Sequence, residues 1–155
     1  RRRRPTNAEV WPRQGRLKEL IEKEAELHEK LRESCSPIGA MGHDYPQAHS
    51  LWRASGGIFL SDSALEFRRQ FGNYLKGNEL HEPISEREVR KLSGEFQKLP
   101  AVIKKAQSFL VKSKFGGTRH SEMFTNLANA LARVENYRSH LLLIADELRA
   151  IGKKR

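Results

Sequence analysis

Only one cysteine, Cys35, occurs in 155 residues. That excludes an internal disulfide and points to a reducing, cytoplasmic compartment. No apolar run approaches the ~20 residues a bilayer-spanning helix needs. The opening Arg1–Arg4 leads into polar residues, not into the apolar stretch of a signal peptide. An initiator Met is also missing, so the chain reads as a piece of a longer protein. The most telling shortage is of negative charge in one place. Between Glu95 and Glu122 there is no acidic residue, while Lys98, Lys104, Lys105, Lys112, Lys114 and Arg119 all fall in that window. Across the whole chain 29 Lys+Arg face 19 Asp+Glu, a formal charge of +10, which favours acidic partners. Residues 35–84 are near neutral, so the excess is localised. With 37% apolar and 31% charged residues the chain can bury a core within one domain, which argues against disorder.

Recognisable chemistry is equally scarce. None of His28, His43, His49, His81, His120 and His140 stands at metal-binding spacing from another His or Glu, and His43-Asp44 with His49 reads as a polar loop. Cys35 lacks a neighbouring base, and the pairs Gly56-Gly57 and Gly116-Gly117 do not continue into a phosphate-cradling motif. The expectation is a non-enzymatic domain with no catalytic residue, metal or cofactor.

What is present is helical periodicity. Residues 1–14 read as a flexible basic arm, 15–151 as a single helical-bundle domain, and 152–155 as the start of a basic C-terminal tail, Lys153-Lys154-Arg155. Leu17, Leu20, Leu27 and Leu31, widened by Ile21, predict a first helix from about Gly15 to Ser34, with Glu24 as the one stripe position that is not apolar. Residues 35–60, rich in Gly and Pro, predict an irregular, partly helical insertion with a short helix at 47–54. A second helix starts at Ser61–Ser63, with Ser63 and Glu66 at capping-box spacing, and Ala64, Phe67, Phe71 and Leu75 as its apolar face. A third is capped by Ser85 with Glu88; Val89, Leu92, Phe96, Leu99, Ile103, Ala106 and Leu110 keep one phase across Pro100, where a kink or break is expected. After Gly116-Gly117, capped by Thr118, a long fourth helix runs from about Arg119 to Ile151 on Phe124, Leu127, Leu131, Val134, Leu141, Ala145 and Leu148, with Arg138 interrupting the stripe and Tyr137 beside it. Nothing alternates like a strand. The expected fold is all-α, an elongated antiparallel four-helix bundle.

Lys98, Lys105 and Lys112 recur every seven residues and so share a helix face, broadened by Lys104 and Lys114. A solvated surface usually interleaves acids at i, i+4, and this one does not. Nucleic acid, bound non-specifically through phosphates, and an acidic protein face suit the charge equally well. Sequence-specific DNA reading has no motif to support it. A membrane-surface module would need an exposed apolar face beside the charge, and a structural spacer would be indifferent to charge reversal.

From Phe71-Gly72-Asn73 onward the order of features resembles a known module. Leu99-Pro100 is followed by Ala101, Val102 and Ile103; Lys112-Ser113-Lys114 leads to Gly116-Gly117 and Arg119; the last helix carries Ala128, Leu131 and Tyr137. This is similar to the BID domain, the Bep intracellular delivery module of Bartonella effectors, found also in conjugative relaxases. The likeness spans about Phe67 to Arg149, with Lys104-Lys105 and Phe109-Leu110 standing where a smaller, glycine-rich run would be expected. The resemblance implies a translocation signal recognised by the coupling ATPase of a type IV secretion system. The domain would reside in the bacterial cytoplasm until export into a host or recipient cell, and some such domains also scaffold an acidic host protein. On that reading Lys98, Lys104, Lys105, Lys112, Lys114 and Arg119 form the recognition surface, extended by Arg133 and Arg138, with Lys153, Lys154 and Arg155 beginning the tail signal. The alternative is a non-specific nucleic-acid-binding C-terminal segment of a conjugative relaxase.

Overall fold

A computed structural model describes residues 15–78, 84–113 and 118–153, without the side chains of Thr118, Arg119 and Lys153. The described residues form helices and no strand: α1 (Arg16–Asp44), a 3₁₀ turn (Pro46–Ala48), α2 (His49–Phe59), α3 (Asp62–Lys76), α4 (Glu86–Glu95), a second 3₁₀ turn (Phe96–Lys98), α5 (Leu99–Lys112) and α6 (Thr118–Lys153). The protein is an all-α bundle.

The two longest helices set its frame. At 1.5 Å per residue, the 29 residues of α1 and 36 of α6 span about 43 and 54 Å. They run antiparallel, because contacts climb one as they descend the other. Arg16 meets Glu147 (3.6 Å), His140 Nε2 donates to the Leu20 carbonyl (2.6 Å), Tyr137 reaches Glu24, and Arg133 reaches Lys30 and Ser34. On another side of α6, α4 is also antiparallel: Arg90 pairs with Asp146 (2.7 Å) and Ser93 with Arg138. With α1, α4 and α5 all packed on it, α6 buries Leu127, Ala130, Val134, Tyr137, Leu141, Ile144 and Ala145.

The ends follow local chemistry. Ser85 accepts from Glu88 N (3.2 Å) while the Glu88 carboxylate accepts from Ser85 N (3.4 Å), the expected capping box. At α3 the cap is Ser61, whose Oγ accepts from Ala64 N (3.2 Å), and not Ser63. Gly77 closes α3 at φ +77°, a left-handed conformation suited to glycine. Pro100 lies in the first turn of α5, where its missing N–H costs nothing, and the break falls just before it as the 3₁₀ turn. Phe96, Leu99, Ile103, Ala106 and Leu110 are all buried, so the stripe keeps phase across that break.

The largest departure concerns residues 35–60. They are not an irregular insertion: α1 continues past Ser34, through Pro37, to Asp44, and α2 follows after a three-residue turn. Buried Cys35, Pro37, Ile38 and Met41 outweigh the helix-breaking composition, as tertiary packing routinely does. The glycines there serve a contact. A Cβ on Gly42 would lie far inside van der Waals distance of Trp52 Cβ, and one on Gly39 would touch Trp52 Cδ1 at 3.8 Å, so the pair seats α2 against α1. Phe124, expected on the core stripe, is 37% exposed, whereas Tyr137 is core.

Candidate interaction surface

Every Lys and Arg along α1 lies within ion-pair distance of a carboxylate. Lys18 pairs with Glu22, Lys23 and Lys30 with Glu26, and Arg32 with Glu29 at 2.7 Å. These i, i+3 and i, i+4 pairs make a solvated face worth a few tenths of a kcal/mol each, roughly 0.2–0.5.

The α5 face differs. Lys104, Lys105 and Lys112 converge, with Ser108 and Phe109, on one wall of an open groove of about 500 Å³. Gln47, Ser50 and Leu51 form the opposite wall. Steps of three and four along α5 aim these side chains together, while Ile103, Ala106 and Leu110 hold the other face of the helix in the core. All three ammonium groups are exposed, and no carboxylate of the described residues pairs with them. The groove thus offers three cations beside two hydroxyls and an amide, above a partly apolar floor.

The remaining sequence-selected residues are placed differently. Lys98 stands in the 3₁₀ turn, 68% exposed, and pairs with Glu95 at 3.1 Å, the acid just outside the acid-free window. Arg133 and Arg138 are not part of this surface and serve the packing. Arg133 Nη1 donates to the Lys30 carbonyl (3.3 Å) and to Ser34 Oγ, and Arg138 Nε donates to the Ser93 carbonyl (3.0 Å) with Glu135 alongside (3.4 Å). The stripe interruption at Arg138 is therefore a bridge to α4. Lys114, Lys154 and Arg155 lie outside the described residues; Arg119 and Lys153 belong to the two ends of α6, but their side chains are not described.

Two features escaped the sequence reading. On the far side of α2, His49 and Trp52 stack at 5.1 Å and, with His43, Gly39 and Gly42, border a second groove of about 520 Å³. Trp52 keeps 47% of its surface exposed. The signal was Gly39 and Gly42, one helical turn apart, read as breakers instead of a seat. The other is a buried polar cluster. Glu24 is fully buried; its Oε2 accepts from Tyr137 Oη (2.7 Å) and from Arg68, while Oε1 has no partner among the described residues. Burial, then the Glu24 charge, hold the Tyr137 phenol well above its ordinary pKa. Burial opposes the Arg68 charge, but the Glu24 carboxylate outweighs it and keeps that guanidinium protonated. His28, one turn on from Glu24, is pushed down to about 4 by burial and by Arg68, and so is neutral at pH 7.

Burial closes Cys35 off as a nucleophile. The buried Cys35 thiol is pushed up to about 12 by its apolar surroundings, leaving almost no thiolate at neutral pH. His43 Nδ1 lies 3.1 Å from Asp44, and no set of three His, Cys, Asp or Glu among the described residues is arranged to hold a metal ion. No helix among the described residues is long and apolar enough to cross a membrane. No family model, curated protein or solved structure matches the chain.

Proposed function

We propose that this chain is a non-enzymatic delivery domain, recognised by the coupling ATPase of a type IV secretion system through the α5 groove. The support is the resemblance along Phe67–Arg149 together with one observation: Lys104, Lys105 and Lys112 share one groove on a packed helix without a carboxylate among the described residues to neutralise them. A rigid helix presents the three charges at fixed spacing, so a partner's acidic face meets a preformed pattern and spends little entropy ordering it. Long-range attraction sets the encounter rate, and docking weakens as salt rises because exposed charges are screened. Lys98, already engaged by Glu95, contributes less than the other three. Cargo joined to such a domain is carried from the bacterial cytoplasm into a host or recipient cell.

A reporter enzyme fused to the domain tests the reading. Changing Lys104, Lys105 and Lys112 to Glu turns three attractive contacts repulsive and is expected to reduce transfer into recipient cells at least tenfold. Undiminished transfer by the triple variant refutes the surface assignment.

A further inference from the structure

The lysine groove and the aromatic groove are two sides of one helix. Ser50 and Leu51 turn from α2 toward α5, His49 and Trp52 turn toward α1, and the exposed Arg53 stands on the ridge between them. A helix is only about 10 Å across, so a strand that crosses the α2 ridge can touch both grooves.

We propose that this surface is a binding site for single-stranded nucleic acid, with phosphates along Lys104, Lys105 and Lys112 and a base stacked on Trp52. Three observations suit that ligand. Ser50, Ser108 and Gln47 lie among the lysines and can donate to phosphate oxygens, completing contacts that ammonium groups alone make as point charges. Trp52 is nearly half exposed, and its Cβ sits close over Gly42, which leaves the indole at the surface beside α1. His49, tilted 48° at 5.1 Å from the indole, sets a second ring beside it. A basic track beside an aromatic platform is how proteins grip unpaired strands without reading sequence, since every base has a π-face. A duplex hides its bases and can use only the lysines. This site shares its three lysines with the delivery reading and adds Trp52 and His49, which that reading does not use.

The test is fluorescence anisotropy of the full 155-residue chain with a labelled 12-nucleotide oligo-dT, across a salt series. Three phosphate contacts on a single strand give a slope of log K against log salt near −2, at about −0.7 per contact. Lys104, Lys105 and Lys112 to Glu is expected to abolish measurable binding. Trp52→Ala is expected to weaken it about 5- to 150-fold, the range that loss of one stacked base covers. Because Trp52 also packs on α1, Trp52→Phe accompanies it; a retained ring should recover most of the affinity, and circular dichroism of both variants reports their helix content. His49→Ala is expected to cost less than Trp52→Ala. Binding of a duplex as tightly as the single strand, or wild-type affinity in a folded Trp52→Ala, overturns the proposal. Loss of export in the lysine variant with no oligonucleotide binding by the wild type leaves the delivery reading standing and removes this one.

Discussion

The side of the bundle where α1, α3 and α6 meet and the face where α2 meets α5 handle charge in opposite ways. On the first, Glu24 is sealed from water and its Oε2 is matched by Arg68 and Tyr137, drawn from two other helices. On the second, Lys104, Lys105 and Lys112 stand in the open, with no described carboxylate beside them. A buried ion must be matched or the fold loses several kcal/mol; an exposed one can go unmatched at almost no cost. The first arrangement specifies how helices pair, and the second leaves attraction available to something outside the chain. Arg133 and Arg138 belong with the first group although their sequence context resembles the second, because each donates to a backbone carbonyl of another helix.

The comparison breaks most visibly at Glu24. Glu24→Ala strands Arg68 and the Tyr137 hydroxyl, and should cost about 3 kcal/mol, the lower end for a broken buried pair since Arg68 is 27% exposed. For a chain of this size that lowers Tm by roughly 6–12 °C in a thermal melt. Tyr137→Phe, which leaves Arg68 on the carboxylate, should cost about 1–2 kcal/mol. Melts in which Glu24→Ala and Tyr137→Phe both match the wild type would remove the distinction between the two regions.

Next comes the seat of α2. Gly42→Ala pushes a methyl into Trp52 and should destabilise by about 1–3 kcal/mol, as overpacking does. Gly72→Ala, in the middle of α3 with nothing within 4 Å of the added carbon, should instead stabilise by about 0.5–1 kcal/mol. Opposite signs in urea titrations are the expected result.

A smaller effect follows from His28. Its folded pKa near 4 lies below the unfolded value of about 6.5. Between those values the unfolded chain binds the extra proton, so stability rises with pH across the window and is lost as pH falls from 6.5 toward 4. Partial exposure limits the contribution to about 1–2 kcal/mol. His28→Gln should flatten urea midpoints measured between pH 4.5 and 6.5.

Much of this plan could be read from the sequence, and the reasons for the failures are specific. The stripe from Val89 to Leu110 survived a break at Pro100 because period and phase are local properties, as is the Ser85–Glu88 cap. Glu24 was visible as an odd member of its stripe, but its partners lie 44 and 113 residues away, and no local pattern encodes that pairing. The continuation of α1 through Pro37 was hidden for the same reason: Ile38 and Met41 are held helical by neighbours distant in sequence. Of the basic residues the sequence singled out, Lys104, Lys105 and Lys112 line one groove, as their helical spacing requires. Arg133 and Arg138 were misread because an arginine beside a stripe looks alike whether it reaches water or another helix.

The smallest expected change is also the most decisive. Lys104, Lys105 and Lys112 replaced together by Glu should move Tm by only a degree or two, since exposed unpaired charges add little to stability. That melt, taken on the same fusion whose export is assayed, separates recognition from folding. An unchanged Tm with export lost is the result expected here. Export retained, or lost only alongside a fall in Tm comparable to that of Glu24→Ala, would contradict the assignment of these lysines to a partner.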